Sequence, residues 1–286
     1  MGVTIMDENT KNWFEYWHQA TPAIGRGPRQ ASFWDKRAEK YGDYVSSDRK
    51  EGKLRTVLDF IQSTGLKIED AEVLDIGSGP GTFALPLAKM GAKVTAVDIS
   101  AEMLKRLEKS AAEDGISNIK TIHSAWKDID LDSMGFKGKF DLVIASMTPG
   151  INGPETFDMM LDASKGVCYY SGWVNRKWDS SYNELYKMLF NEEFREITHG
   201  FYLPFMYLYT MGYRPEIKIK RDIWNSDETV EDMVETVSGF FSSTKDIDEE
   251  MKGRMREYFQ ERSNDGKYRS ETIAVTGMMV WEKNNK

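Results

Sequence analysis

The sequence predicts an α/β fold, a doubly wound sheet of seven strands flanked by helices. Three observations predict it. Five apolar runs of strand length recur between residues 71 and 173, and the first of them alternate with helical text. The first run, in "VLDIGSGPGTF" from Val73 to Phe83, ends in three glycines within five residues, where a strand would hand over to a helix. Two more runs come late, "PEIKIKRDIW" and "ETIAVTGMMVWEK", with helical stripes between them.

The first 65 residues predict aromatic-rich helices: "NWFEYWHQA", "ASFWDKRAEKYG" and "RTVLDFIQSTG". In the last, Val57, Leu58 and Ile61 fall at helical spacing and Gly65 suits the stop. "AEVLDIGSG" is a short buried strand, and "TFALPLAKMG" a helix ended by Gly91. "AKVTAVDIS" is the second strand. The helix in "SAEMLKRLEKSAAEDG" has Ser100 as its N-cap and Met103, Leu104, Leu107 and Ala111 on one face. "IKTIHSAW", "KFDLVIASM" and "GVCYYSGW" are strands three to five. Strands of this kind between helices imply a parallel sheet covered on both faces.

After Trp173 the alternation loosens. Helical text surrounds "SYNELYKMLF" and "FYLPFMYLYTMG", and "PEIKIKRDIW" is the sixth strand. One stripe then joins Val230, Met233, Val234, Val237, Phe240 and Phe241. A second joins Ile247, Met251, Met255 and Phe259, opened by an Asp246-x-x-Glu249 capping pattern. The seventh strand, "ETIAVTGMMVWEK", closes the order. No repeat or linker divides the chain. The expected layout is one domain over 1–286, with a helical cap over 1–65, a core over 66–178, and lid helices with C-terminal strands over 179–286.

Composition narrows the function. The formal charge is −8 and no Lys/Arg cluster stands out, which argues against a surface that tracks nucleic-acid phosphates. The single cysteine, Cys168, excludes an internal disulfide and a Cys-rich metal site; it is expected as a small buried hydrophobe. No metal is expected. The start shows no basic stretch followed by an apolar one, and Gly2 lacks the Ser or Thr that myristoylation needs at position 6, which is Met. The longest apolar-looking run, "FYLPFMYLYTMGY", is too short to span a bilayer. A soluble cytoplasmic protein, monomer or homodimer, without a membrane or nucleic-acid partner, is the expectation.

A glycine-rich turn at a helix start attracts negative charge to its backbone N–H groups. Two cofactor classes use it on such a sheet: nicotinamide or flavin dinucleotides, and S-adenosylmethionine. Gly77, Gly79 and Gly81 give G-x-G-x-G, whereas the dinucleotide fingerprint is G-x-G-x-x-G, and position 82 is Thr. Asp75, inside the first strand, would repel a pyrophosphate but could meet an ammonium. Asp98, closing the second strand, could accept from ribose hydroxyls and suits both classes.

On these residues, "VLDIGSGPGTFALPLAKMGAKVTAVDIS" resembles the first motif and acidic strand end of class I S-adenosylmethionine-dependent methyltransferases. The likeness is strong over roughly 70–150, and "FWDKRAEKYG" resembles the entry helix of small-molecule members. The resemblance implies a Rossmann-like seven-stranded sheet whose last strand is antiparallel, with a helical insertion before it. It also implies S-adenosylmethionine as cofactor and S-adenosylhomocysteine as product. By position, Gly77, Ser78 and Gly79 would approach the methionine part, and Gly81 would let the loop turn. Asp75 would face the amino group, Asp98 would hold the ribose, and Ile99 would lie against adenine. Family members often carry an acid after the third strand; here Ser124 stands there, so Ala125 and Trp126 would contact adenine instead. Ser146 and Met147 would sit beside the methyl group.

Blander roles remain for several of these residues. The glycines could form a plain tight turn, Asp98 could cap a helix, Trp126 could be core packing, and the stripes over 230–241 and 247–259 are expected as core or lid packing. His123 lies in a strand and is expected to be structural. His18 and His199 lie in aromatic segments outside the sheet, as surface or packing residues or as general bases. Methyl transfer needs alignment of nucleophile, carbon and sulfur, and a base only if the acceptor must lose a proton. "SMTPGING" lacks the Asn/Asp-Pro-Pro-aromatic motif of amino-methylating DNA enzymes. It also lacks the cysteine of cytosine C5 enzymes. The expected acceptor is a small molecule, partly apolar or aromatic. The alternatives are a non-catalytic S-adenosylmethionine sensor or scaffold and, behind it, an NAD-dependent oxidoreductase.

Overall fold

The computed structural model describes residues 6–21, 27–43, 48–194 and 200–285. Helices α1 (Glu8–Ala20), α2 (Ala31–Asp43) and α3 (Asp48–Gln62) precede strand β1 (Glu72–Ile76). The alternating part follows: α4 (Ala84–Lys89), β2 (Lys93–Asp98), α5 (Ala101–Glu113), β3 (Ile119–His123), β4 (Phe140–Ser146), α6 (Pro154–Ala163) and β5 (Ser164–Lys177). The C-terminal part holds α7 (Ser180–Phe190), α8 (Tyr202–Thr210), β6 (Glu216–Thr229), α9 (Val230–Phe241), α10 (Glu249–Arg262) and β7 (Lys267–Glu282). The seven strands form one sheet in the order β3-β2-β1-β4-β5-β7-β6. β1 pairs in parallel with β2 and β4, whereas β7 runs antiparallel to both β5 and β6. This is the expected doubly wound α/β sheet with a reversed last strand.

Neighbouring residues of β1 point to opposite faces, so Val73 and Leu74 enter different cores and both are fully buried. One face is covered by α1, α6 and α8 through Trp17, Phe157 and Tyr207; the other by α3, α4 and α5 through Phe60, Leu87 and Leu107. Ser100 caps α5 as expected, its Oγ accepting from the Met103 N–H at 3.2 Å.

The structure differs from the sequence-based expectation in three places. Helix α6 was not anticipated, although Pro154 at its first position and Phe157, Met160 and Leu161 at helical spacing signal it. Helix α10 is capped by Asp248, whose carboxylate accepts from the Met251 N–H at 2.8 Å, rather than by Asp246. β6 and β7 run far past their apolar stretches: Asn225–Thr229 pairs residue by residue with Lys267–Glu271, so polar text becomes strand through its partner. The stripes of α9 and α10, expected as core or lid packing, pack with α7 and Tyr268 in a third core.

Candidate functional site

The strand order turns back between β1 and β4, which leaves a crevice at the carboxyl ends of the strands there. A cavity of about 1040 Å³ opens at that point. All ten residues that the sequence proposes for the cofactor line it: Asp75, Gly77, Ser78, Gly79, Gly81, Asp98, Ile99, Ala125, Trp126 and Ser146.

The glycine turn is shaped by contact and by backbone angle. A Cβ on Gly77 would collide with the Thr148 hydroxyl, so the loop after β4 can close against the loop after β1 only if residue 77 is glycine. Gly79 has φ +54°, and a Cβ there would stand in open space. The loop's own N–H groups are largely used within the chain. Gly77 and Ser78 donate to the Val97 carbonyl at 2.8 and 3.1 Å, Gly79 to Asp98 Oδ2 at 2.8 Å, and Gly81 to the Ser78 carbonyl at 3.1 Å. The turn therefore does not present a row of free donors, as the sequence-based argument about negative charge had it. A pyrophosphate would find these donors taken and two carboxylates nearby.

Those carboxylates are unequal. Asp75 is 2% exposed and its Oδ2 has no hydrogen-bond partner. Burial, and secondarily the charge of Asp98, push its carboxyl up to about 7, against the pull of the Ala84 N–H. Asp98 is held by two backbone donors, Gly79 at Oδ2 and Ser100 at Oδ1, each at 2.8 Å. Burial raises its pKa as well, with those N–H groups and His123 opposing the rise. His123 meets the Ile99 carbonyl at 3.0 Å through Nε2, the structural role expected of it.

Trp126 is core packing at the edge of the cavity. It is 3% exposed and donates from Nε1 to the Thr156 carbonyl at 2.9 Å, while part of it borders the cavity. At the end of β4, Ser146 and Ser171 share a hydroxyl contact of 3.0 Å, with the Tyr169 hydroxyl bonded to both. Met147 then turns with φ +51°, uncommon for a side-chain-bearing residue, and begins the loop that meets the glycine turn.

The cavity continues past these residues to Trp34, Leu54, Trp173 and Trp224, none of which was assigned to a site beforehand. The Trp173 and Trp224 rings meet edge to face at 5.6 Å. The Arg176 guanidinium lies 4.9 Å from each ring and 3.6 Å from Trp178. Trp173 closes the apolar part of β5, so the rule that sites lie at strand carboxyl ends could have found it. Trp224 ends the expected sixth strand, so the same rule could have found it as well.

The two histidines considered as bases are not brought here. His18 is exposed on α1, with Nδ1 at 2.6 Å from Glu155 Oε1, and does not line the cavity. His199 lies outside the described residues. Cys168 is fully buried, and burial pushes its thiol up to about 12. Among the described residues no cluster of His, Cys, Asp or Glu could hold a metal ion, and no helix is long and apolar enough to cross a membrane.

Residues 73–168 match the methyltransferase domain family. An uncharacterized protein of Haemophilus influenzae is 38% identical over 95 residues, 33% of this chain and 34% of that protein. The 23S rRNA (uracil(1939)-C(5))-methyltransferase RlmD of Shewanella sediminis is 39% identical over 72 residues, 25% of this chain and 16% of that protein. The chain thus spans about a third or less of the length of these relatives. A candidate methyltransferase of Bacillus halodurans shares the fold at 18% identity with a TM-score of 0.51, over 79% of this chain and 97% of that one.

Proposed function

We propose that this chain, whose residues 73–168 match the methyltransferase domain family, binds S-adenosylmethionine and methylates a small, partly apolar or aromatic acceptor by direct in-line displacement. One observation carries the reading. The cavity lined by Asp75, Asp98 and the glycine turn runs without a break to Trp34, Trp173 and Trp224. Cofactor and acceptor can therefore share one space, at the upper end of the roughly 300–1,000 Å³ common for small-molecule sites.

The residues present fit the cofactor. Asp75 offers a buried, unpartnered carboxylate oxygen to an ammonium group. Asp98 keeps lone pairs on both oxygens for ribose hydroxyls beyond the two N–H groups it already binds. Ile99, Ala125 and Trp126 offer an apolar wall to adenine, and the bare Gly79 leaves room for the methionine chain. When bound, S-adenosylmethionine supplies a methyl group already activated by the sulfonium.

The chain's own task is then to hold the acceptor in line and to keep water out. The tryptophan end provides flat apolar surface for that purpose. The Ser146–Ser171 pair can orient a polar atom of the acceptor near the end of β4.

The match to RlmD is confined to a quarter of this chain. Pyrimidine C5 chemistry of the cysteine-dependent kind would need a reactive thiol, and the one cysteine here is buried and held protonated. With the net charge of −8, this supports a small molecule over RNA as acceptor. The test is transfer of labelled methyl from S-adenosylmethionine, offered a metabolite extract and bulk RNA in parallel. Label in the small-molecule fraction is expected. Label in RNA, or cofactor binding with no transfer to either, contradicts the proposal.

A further inference from the structure

β6 ends the sheet and leaves its outer edge open over 14 residues. Among the described residues no strand pairs with that edge. Ile217, Ile219 and Ile223 share one face of β6 and are 39%, 56% and 45% exposed. Folded proteins rarely leave a long edge with apolar side chains uncovered, because it templates pairing with another chain.

The order of charges on β6 indicates what covers it. The first half carries Lys218, Lys220 and Arg221 against Glu216 and Asp222, a net positive charge, and the last half carries only Asp227 and Glu228. A parallel copy would set like charge beside like. An antiparallel copy lays the basic half along the acidic half. Centred on Trp224, that pairing puts Lys220 opposite Glu228 and Arg221 opposite Asp227, and symmetry repeats each pair. Two pairs within the chain compete, Lys220–Asp222 at 3.0 Å and Arg269–Asp227 at 3.7 Å. Both are at the surface, where exchanging partners costs little.

We propose that the protein forms a twofold homodimer through antiparallel pairing of β6 with β6 of a second copy, joining the two sheets into one. Ile219 then lies opposite Thr229 and Ile223 opposite Asn225. Trp224, which also borders the cavity, faces its own counterpart at the twofold axis, so the two tryptophan-lined cavity ends approach the interface. The interface does not depend on which acceptor the cavity takes.

Sedimentation equilibrium of the full chain tests this, with Lys220→Glu, Glu228→Lys and the double variant beside the wild type. The wild type is expected to be a dimer. Each single reversal should weaken the dimer by about tenfold or more, since it makes two attractive pairs repulsive, and the double variant should restore it. Circular dichroism checks that each variant is folded. A wild type that is monomeric at every concentration overturns the proposal. So does a dimer indifferent to both reversals, or one that the double variant does not rescue.

Discussion

Asp75 joins a feature of burial to a feature of function. Its carboxyl stands at about 7 in the fold against 3.8 as a free side chain, chiefly because burial disfavours its charge. An acid whose pKa is raised on folding binds its proton more tightly in the folded state than in the unfolded one. Its contribution to stability is therefore greatest below pH 3.8 and is lost as pH rises to about 7. Urea titrations should show that decline over this window, superposed on the other carboxylates, and Asp75→Asn should remove it. Binding of an ammonium group beside Asp75 favours its ionised form. Affinity for S-adenosylhomocysteine should thus fall, by up to about tenfold per pH unit, as pH drops below about 7. Calorimetry below that pH should record proton release on binding, and none in Asp75→Asn. At the other end of the cavity, Trp173→Ala removes acceptor surface but nothing next to Asp75 or Asp98. Steady-state kinetics should show KM for the acceptor raised several-fold, with cofactor affinity kept.

Two elements hold the loops in place. Ser100 caps α5 and also donates from Oγ to Asp35 Oδ1 at 2.5 Å, tying the helical cap to the strand end that carries Asp98. Ser100→Ala should cost about 1–2 kcal/mol in urea unfolding, the upper range for a lost cap, and should weaken cofactor binding through Asp98 and α2. The elements also explain what the sequence revealed. β1, β2 and α5 were legible because their patterns are local: a buried strand is apolar throughout, and a capped helix repeats at its own period. The ten residues expected to face the cofactor, at the ends of β1, β2 and β4 and on the loops after β1 to β3, came from the family resemblance of that stretch, and all ten border one cavity. The extension of β6 and β7 was not legible, because Asn225–Thr229 is strand only through pairing with Lys267–Glu271. The place of Trp224 beside the cavity went unseen because the strand order that sets β6 next to β7 and β5 is not a local pattern. The third core was hidden likewise: the α9 and α10 stripes show that a face is buried, not what buries it.

At the scale of the molecule, one sheet carries two cores, and the site sits where its strand order turns back. Helices α1, α6 and α8 cover one face and α3, α4 and α5 the other, and the strand ends between them border the cavity. The spent donors of the glycine turn and its two carboxylates separate the cofactor classes. An adenosyl amino acid fits this site; a dinucleotide pyrophosphate does not. S-adenosylhomocysteine at a hundred times its dissociation constant should therefore stabilise the whole fold by about 2.7 kcal/mol, seen as a rise in Tm, while NAD should leave Tm unchanged. The most direct measurement is calorimetric titration of the folded protein with S-adenosylhomocysteine, with Gly79→Val and Asp98→Ala as controls. Saturable heat at one site per chain, strongly reduced in both variants, is the predicted result. No heat in folded wild-type protein, or unchanged affinity in both variants, would contradict it.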